Sequence, residues 1–466
     1  MELWAIVPEL TLACGFLLLL LLAPFFEGRK AGVLYGLALL ILALAAALTT
    51  RMLPWPVQRV FFGTYILDPL AHLLKFYAIV ASGLMLLASA EYFRQSPFYS
   101  DVPALTVVSA LAAAMLAGSA DLALVALFFY TLTVSTLILV ALLKHDSRSN
   151  EAALKYFLFG AAATAVMLYG LSLLYGTVGR TDITAPVTSV PALAVLALSI
   201  ALVGFGFKMA VAPFHMWAPD VYEGAPTPVA GFLSVITKAA AFAVVLRLLL
   251  GAFSPIQDTW RLLLEVLAAV TMTVGNIWAL RQTNVKRLLA YSSIAQMGYV
   301  LVALSVTGQA RSASLAAMFY LVVYLFMNVG VFFVVARLEA GGLATNVIDY
   351  SGLFRRAPAF ALVMTLFLLS LAGVPPLGGY IGKLLVLQAA LEGNAGWLAA
   401  LMAANIVLAA YYYLRIIGAM YLHDGAKTFK TSRAPGLDAA LALSLAGTVL
   451  LGVLPEPVLR SLPHVR

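Results

Sequence analysis

The chain has 466 residues, of which 63% are hydrophobic and only 10% are charged, and its mean hydropathy is +1.01. Because soluble globular domains carry about 25% charged residues, this composition excludes a water-soluble globule and indicates an integral membrane protein. The formal charge of +8 does not indicate nucleic acid binding, since the basic residues fall in short loops between apolar segments. The single cysteine, Cys14, excludes an intrachain disulfide and a cysteine-based metal cluster.

Apolar segments long enough to cross a bilayer recur along the whole chain. A crossing needs about 20 apolar residues. By that measure the sequence predicts about 14 transmembrane helices, near residues 3–25, 32–50, 67–90, 102–119, 121–143, 152–176, 191–212, 227–251, 260–280, 286–306, 312–337, 358–391, 396–422 and 437–455. The twelfth segment is too long for one straight crossing. The loops are too short for a soluble domain, so we expect an all-α polytopic protein with a single membrane domain, 1–466.

The basic residues of the loops predict the orientation, because cytoplasmic loops are enriched in Lys and Arg. If the N-terminus faces outward, the inner loops carry fourteen basic residues, Lys427 and Lys430 among them, and the outer loops carry seven. We therefore expect both termini on the outer side of the membrane.

Seven further basic residues fall inside the predicted spans: Lys75, Lys155, Lys208, Lys238, Arg247, Lys383 and Arg415. A charge at membrane depth costs several kcal/mol, so each needs a physical reason. Lys155 and Arg247 lie near helix ends, where a long side chain can reach the interface. Lys238 follows Pro228 by ten residues, which places it about 15 Å along a helix. That depth is half of a hydrocarbon core of about 30 Å.

Two predicted helices are interrupted beside a lysine. Lys208 is followed by Pro213, and Lys383 follows the pair Pro375 and Pro376. Proline removes a backbone donor and clashes with the preceding turn, so both segments are expected to be broken at membrane depth. Unpaired backbone is tolerated there only where it is buried in protein or lines a wet cavity.

The two breaks stand 175 positions apart. Paired interrupted helices are a sequence indicator of a transporter site built from inverted repeats. We therefore expect two inverted five-helix repeats, 101–252 and 258–423, each with one broken helix. Three N-terminal helices in 1–100 precede them, and a C-terminal helix in 436–466 follows.

The stretch FKMAVAPFHMWAPDVYEGAPTP, from Phe207 to Pro228, closely resembles the antiporter-like subunits of respiratory complex I. Its second half is similar to the subunit N branch rather than to branches L and M. Three further stretches agree: EAALKYF from Glu151, RQTNVKRLLAYSSIA from Arg281, and Pro375-Pro376 with Gly382-Lys383. The resemblance covers nearly the whole chain.

The resemblance implies fourteen helices, no cofactor in this chain, and a place in the proton-translocating membrane arm of NADH:quinone oxidoreductase. Lys208 would be the input lysine, Lys238 the central relay and Lys383 the output lysine. Flavin and iron-sulfur clusters are expected in partner subunits, and quinone is expected to bind elsewhere in the complex. The implied partners are antiporter-like subunit M, small subunits such as K, and the lipid bilayer, here the bacterial plasma (inner) membrane.

The sequence departs from the family beside the first lysine. The fifth helix of these subunits usually carries a glutamate that pairs with this lysine, but no acidic residue occurs from Leu122 to His145. Thr131, Thr133 and Ser135 occupy the region instead. Glu151 is the alternative partner, with Lys155 nearby, although a carboxylate near a helix N-terminus is equally typical of a favourable helix-dipole contact.

A second departure lies between the other two lysines. The position after Ala295 is commonly histidine in the relatives and is Gln296 here, which can hydrogen-bond but cannot titrate. Tyr291, Ser292 and Ser293 are candidate groups for hydrating this region.

Other charged residues have structural interpretations. Asp68 and Lys75 lie seven apart and so on one face of a helix, as a possible pair or packing interface. Glu9 and Glu265 are expected to pack against other subunits. His215, Asp220 and Glu223 are expected to make loop hydrogen bonds and to bind no metal.

Two other functions remain open from the sequence. The first is a subunit of a multisubunit cation/proton antiporter, which shares the fold but differs in ion and partners. The second is a structural subunit of the same membrane arm that does not pump, which the missing glutamate favours. Redox catalysis within this chain is not expected, since no ligand set for haem or an iron-sulfur cluster is present.

Overall fold

The structure is a computed structural model that describes residues 2–26, 28–53, 57–188, 191–424 and 433–462. Lys427 and Lys430, which contribute to the predicted orientation, lie outside the described residues. The α-helices are α1 Glu2–Ala5, α2 Val7–Leu22, α3 Gly32–Met52, α4 Pro69–Tyr92, α5 Asp101–Gly118, α6 Leu122–Val140, α7 Ser147–Val178, α8 Pro191–Met209, α9 Trp217–Gly224, α10 Thr227–Leu250, α11 Gln257–Leu280, α12 Val285–Ser305, α13 Ala313–Ala340, α14 Leu353–Arg356, α15 Pro358–Ala372, α16 Gly378–Glu392, α17 Gly396–Leu422, α18 Pro435–Val453 and α19 Glu456–Ser461.

Shorter elements connect the helices. Four 3₁₀ turns cover Ala23–Phe25, Gly28–Ala31, Ser254–Ile256 and Val347–Tyr350 within the described ranges. One antiparallel hairpin, β1 Gln58–Val60 and β2 Tyr65–Leu67, precedes α4, with Gln58 paired to Leu67. The sequence patterns predicted neither this hairpin nor the short helix α9.

The predicted fold class is confirmed: the protein is an all-α polytopic membrane protein. In the described residues, thirteen helical segments are long and apolar enough to span a bilayer. The predicted twelfth segment is divided between α15 and α16, with residues 373–377 between them. The inverted symmetry of the two repeats stays a prediction.

Helices α6 and α12 begin where a polar side chain satisfies free backbone donors. The Asp121 carboxylate accepts from the amides of Ala123 and Leu124 at the start of α6. Asn284 caps α12 in the same way, through the amide of Arg287. In an apolar medium, such caps leave fewer unsatisfied groups at the membrane boundary.

The chain forms two compact units. Unit 1 consists of Met1–Leu86, Phe93–Met209 and Ile236–Leu262. Within it, α7 packs closely on α8, since a Cβ on Gly170 would lie 2.4 Å from the amide nitrogen of Ala201. This contact fixes α8, which carries Lys208.

Unit 2 consists of Leu87–Tyr92, Ala210–Val235 and Leu263–Arg466. Helices α12 and α13 are largely buried and form its centre. Helix α16, which carries Lys383, packs against both α12 and α13. The predicted division at 101–252 and 258–423 differs from these two units and stays a prediction about repeats.

Candidate functional site

The first helix interruption lies directly after Lys208. Helix α8 ends at Met209, Ala210 has a positive φ of 55°, and the next helix begins at Trp217. Pro213 lies inside this interruption. The freed carbonyl of Lys208 accepts a hydrogen bond of 3.2 Å from the Thr237 hydroxyl, so the broken helix end remains paired.

The amine of Lys208 is enclosed by a hydroxyl and two aromatic faces. Its Nζ donates to Tyr156 Oη at 3.0 Å and lies 5.4 Å from the centre of the Phe129 ring. The Tyr156 hydroxyl is 3.1 Å from the hydroxyl of Thr136. Lys208 is 1% exposed. In the part of the chain that the structure describes, no carboxylate forms an ion pair with this amine.

The candidate partners of Lys208 lie elsewhere. Thr131 is partly exposed on α6, donates to the Leu127 carbonyl, and lines an apolar groove of about 1010 Å³. Glu151 is mostly exposed and forms an ion pair of 2.6 Å with Lys155, one turn along α7. Neither Thr131 nor Glu151 is therefore a partner of Lys208.

Lys238 lies in the middle of α10. It is fully buried, eleven residues after the helix start at Thr227, or about 16 Å along the axis. The whole membrane-spanning window of this helix is buried within the protein. Thr237, beside it in sequence, donates to the carbonyl of Lys208 in the same unit.

The second interruption supplies a backbone oxygen to Lys383. An uninterrupted helix would pair the Leu371 carbonyl with the amide of residue 375, but Pro375 has no N–H. Lys383 Nζ donates to this freed carbonyl at 2.5 Å. Gly373, with a φ of 91°, leaves room for the lysine, since a Cβ there would lie 2.9 Å from Lys383 Cδ. Pro376 also lies in the interruption.

Gln296 joins Lys383 to a group of buried hydroxyls. Its Nε2 donates to the same Leu371 carbonyl at 3.3 Å and to Tyr413 Oη at 3.1 Å. Its Oε1 accepts from the Tyr320 hydroxyl. The Tyr413 hydroxyl is 2.5 Å from Ser292 Oγ. Gln296 thus holds a fixed orientation and connects α12, α13, α15 and α17.

Tyr320 and Tyr413 are site residues that sequence reasoning missed. The run of three tyrosines at 411–413 was an available signal, because a buried tyrosine needs a hydrogen-bond partner. Tyr291 lies apart from this group: it is partly exposed and stacks on Trp278 at 6.5 Å between ring centres. Ser293 is buried and lies 2.6 Å from the Tyr324 hydroxyl.

The remaining charged residues pair differently from the sequence interpretation. Asp68 pairs with Arg247 rather than with Lys75, which pairs with Glu9. Glu9 is buried inside unit 1, so it is not a residue of an intersubunit surface.

Two further acidic sites also have partners within the chain. Glu265 accepts from Trp397 Nε1 at 3.0 Å, and both lie in unit 2. Asp220 and Glu223 both accept from Arg287 Nη1, at 2.5 and 3.1 Å. These two carboxylates therefore attach α9 to the start of α12.

Comparison with known proteins identifies the family. The family model described as NADH:quinone oxidoreductase/Mrp antiporter, TM, matches residues 119–409. The chain belongs to this family. It is 39% identical to NADH-quinone oxidoreductase subunit N 1 of Solibacter usitatus, over 97% of this chain and 95% of that relative.

Solved structures agree with this fold. A chain of respiratory complex I from Thermus thermophilus with bound aureothin has 33% identity and a TM-score of 0.83, covering 97% of this chain and 99% of that one. A chain of the Mrp complex from Dietzia sp. has a TM-score of 0.88 at 19% identity, covering 99% and 96%, which shows the shared fold. The family member described here is an antiporter-like membrane subunit of proton-pumping complex I, and so part of a multisubunit membrane complex.

Proposed function

We propose that protons cross the membrane through this chain by way of Lys208, Lys238 and Lys383. The observation that carries the proposal is the second helix break, where Pro375 frees the Leu371 carbonyl for Lys383. A cationic group at membrane depth is costly and is found where it serves an ion pathway. All three lysines are buried.

The hydroxyl groups beside the two helix breaks support proton transfer. Tyr156 and Thr136 follow Lys208 in unit 1. In unit 2, the hydroxyls of Tyr413 and Ser292 lie beyond the Gln296 amide, which shares the Leu371 carbonyl with Lys383. Hydroxyls both donate and accept hydrogen bonds, so they can transmit a proton or order water between titrating groups.

The cofactors, the partner subunits and the membrane location of the chain are part of the same proposal. The chain itself binds no cofactor and reduces no quinone, and the flavin and iron-sulfur clusters belong to partner subunits. Subunit M and small subunits such as K are its neighbours in the membrane arm. The complex lies in the bacterial inner membrane with both termini of this chain outside.

Lys238→Met tests the proposal in the assembled complex. Membrane vesicles that contain the variant should pump protons at a small fraction of the wild-type rate. Electron transfer to quinone is either retained or falls together with pumping, so the rate of proton pumping is the deciding measurement. Lys155→Met is the matched control, since Lys155 is partly exposed and paired with Glu151. Normal proton pumping by Lys238→Met would contradict the proposal.

A structural subunit that does not pump is the second candidate. It is favoured by the environment of Lys208, which has a hydroxyl partner and no ion-paired carboxylate among the described residues. The same variant separates the two functions, because a structural subunit would lose assembly or nothing, whereas a relay would lose pumping in a fully assembled complex.

A further inference from the structure

A second cluster of titratable groups is buried in unit 1, at the end that carries the β-hairpin. Glu9 on α2 and Lys75 on α4 form a close ion pair, and both are at most 2% exposed. The Tyr65 hydroxyl, on β2, donates to Glu9 Oε1 at 2.5 Å. His72 lies one turn before Lys75 on α4 and is 3% exposed.

Hydrogen bonding in this cluster is incomplete. Tyr65 and Lys75 both approach Glu9 Oε1, whereas Glu9 Oε2 is buried without a hydrogen-bond partner. His72 Nδ1 is also buried without a partner. An unsatisfied buried polar atom destabilises the folded protein, so this cluster is poorly suited to a purely structural role.

The neighbouring ion pair shows the contrast. Asp68 accepts two hydrogen bonds from Arg247, at 2.8 and 2.7 Å. Arg247 also donates twice to the Ala117 carbonyl, at 3.0 and 2.8 Å. Four of the five N–H donors of Arg247 and both oxygens of Asp68 are hydrogen-bonded, which is the arrangement that a structural ion pair requires.

The surroundings of the cluster are electrically balanced. The charged and titratable groups in and around the cluster are Glu9, Lys75, His72, Tyr65, Asp68 and Arg247. The two carboxylates, Glu9 and Asp68, are paired with the two bases Lys75 and Arg247. Burial and the Glu9 charge raise the pKa of Tyr65 well above its ordinary value, so its hydroxyl stays a donor. Lys75 lies six residues into α4, about 9 Å from the helix start beside the hairpin.

We propose that Glu9, Lys75 and His72 form a proton-exchange site, distinct from the three transport lysines, between the interior of unit 1 and its hairpin end. This rests on the proposed function, because it makes the cluster one outlet or inlet of the translocation route. By the predicted orientation, the hairpin end faces the outer side of the membrane.

The exchange is a balanced proton transfer. A proton that reaches Glu9 Oε2 neutralises the carboxylate and releases the ammonium of Lys75 from its ion pair. Lys75 then gives one proton to the neutral imidazole of His72, and the imidazolium releases it to water at the hairpin end. Lys75 recovers a proton from the Glu9 carboxyl, which restores the original pair.

His72→Gln tests the exchange without breaking the ion pair. In the assembled complex, this variant should lower proton pumping at least about tenfold, since a positioned proton-transfer group typically contributes a factor of about 10² or more. Wild-type pumping by His72→Gln would overturn the exchange site.

Glu9→Gln tests the same site by spectroscopy. In the purified complex, the pH-dependent infrared difference spectrum should lose one carboxyl band in Glu9→Gln and keep it in Glu265→Gln, a matched buried carboxylate held by Trp397. The absence of any Glu9 carboxyl band in the wild-type titration would refute the site.

Lys238→Met separates this inference from the proposed function. If Lys238→Met abolishes pumping but His72→Gln and Glu9→Gln leave both readouts unchanged, the exchange site alone fails. If Lys238→Met pumps normally, the proposed function fails, and the infrared titration still reports whether Glu9 exchanges a proton.

Discussion

Tyr156→Phe is expected to impair proton pumping by removing a single oxygen atom beside Lys208. The hydroxyl of Tyr156 accepts from Lys208 Nζ at 3.0 Å. Phenylalanine keeps the aromatic face, which lies 5.3 Å from the amine at its centre. Thr136 keeps its own hydrogen bond to the Leu132 carbonyl at 2.6 Å, so the substitution leaves no second hydroxyl unpaired.

The expected size follows from the loss of one charge-assisted hydrogen bond. A hydrogen bond to a charged group contributes about 1.5–3 kcal/mol. The neutral amine also loses a hydrogen bond, which contributes about 0.5–1.5 kcal/mol, so the loaded form of Lys208 is disfavoured by about 1–1.5 kcal/mol. Since about 1.4 kcal/mol is a tenfold change in an equilibrium constant, the loaded form should become roughly tenfold less favoured relative to the unloaded form. The variant should therefore assemble normally and pump several-fold more slowly.

Proton uptake per electron, measured in vesicles with the assembled complex, checks this expectation. Tyr169→Phe is the matched control, because Tyr169 lies on the same helix and is 59% exposed. The reasoning is wrong if Tyr156→Phe pumps like the wild type while Lys208→Met does not. In that case the amine is required but its hydroxyl partner is not.

Phe129→Glu should stabilise the ammonium form of Lys208, by up to about 4 kcal/mol for charges 4 Å apart at an effective dielectric constant of 20; the pH profile of pumping should then move to higher pH, whereas Phe129→Gln should not move it. Gly373→Ala should slow pumping, because alanine is strained at a φ of 91° and its Cβ would lie 2.9 Å from Lys383 Cδ. Gly36→Ala is its control, since a Cβ on Gly36 meets nothing within 4 Å. The Phe129 expectation is wrong if pumping assays at several pH values give the same profile for Phe129→Glu and Phe129→Gln. The Gly373 expectation is wrong if Gly373→Ala pumps as fast as Gly36→Ala.

The fold was predictable from the sequence because a bilayer imposes one length and one composition on every span. Lys208 and Lys383 were also recognisable, since proline marks each helix interruption in the sequence itself. The apolar period alone could not show the β-hairpin, because three-residue strands such as Tyr65–Leu67 carry too few residues to reveal an alternation.

Side-chain partners were less predictable than helices. Asp68 and Lys75 share a helix face by spacing, yet each pairs with a residue distant in the chain, Arg247 and Glu9. Glu151 was a plausible partner for Lys208 by position, but the exposed start of α7 directs it to Lys155. Only the packing of separate helices decides such pairs, and one sequence does not contain that information.

The two lysines beside the helix breaks have different partners, and the difference affects how each can release a proton on the proposed route. The Tyr156 hydroxyl at Lys208 can accept from an ammonium and donate to a neutral amine, so it serves both protonation states. The Leu371 carbonyl at Lys383 only accepts, and Gln296, which shares that carbonyl, cannot titrate. A proton on Lys383 therefore cannot leave through its present partners. The amine must first move away from the carbonyl towards a hydroxyl or water, which places the controlled step of the route at the second break rather than at the first.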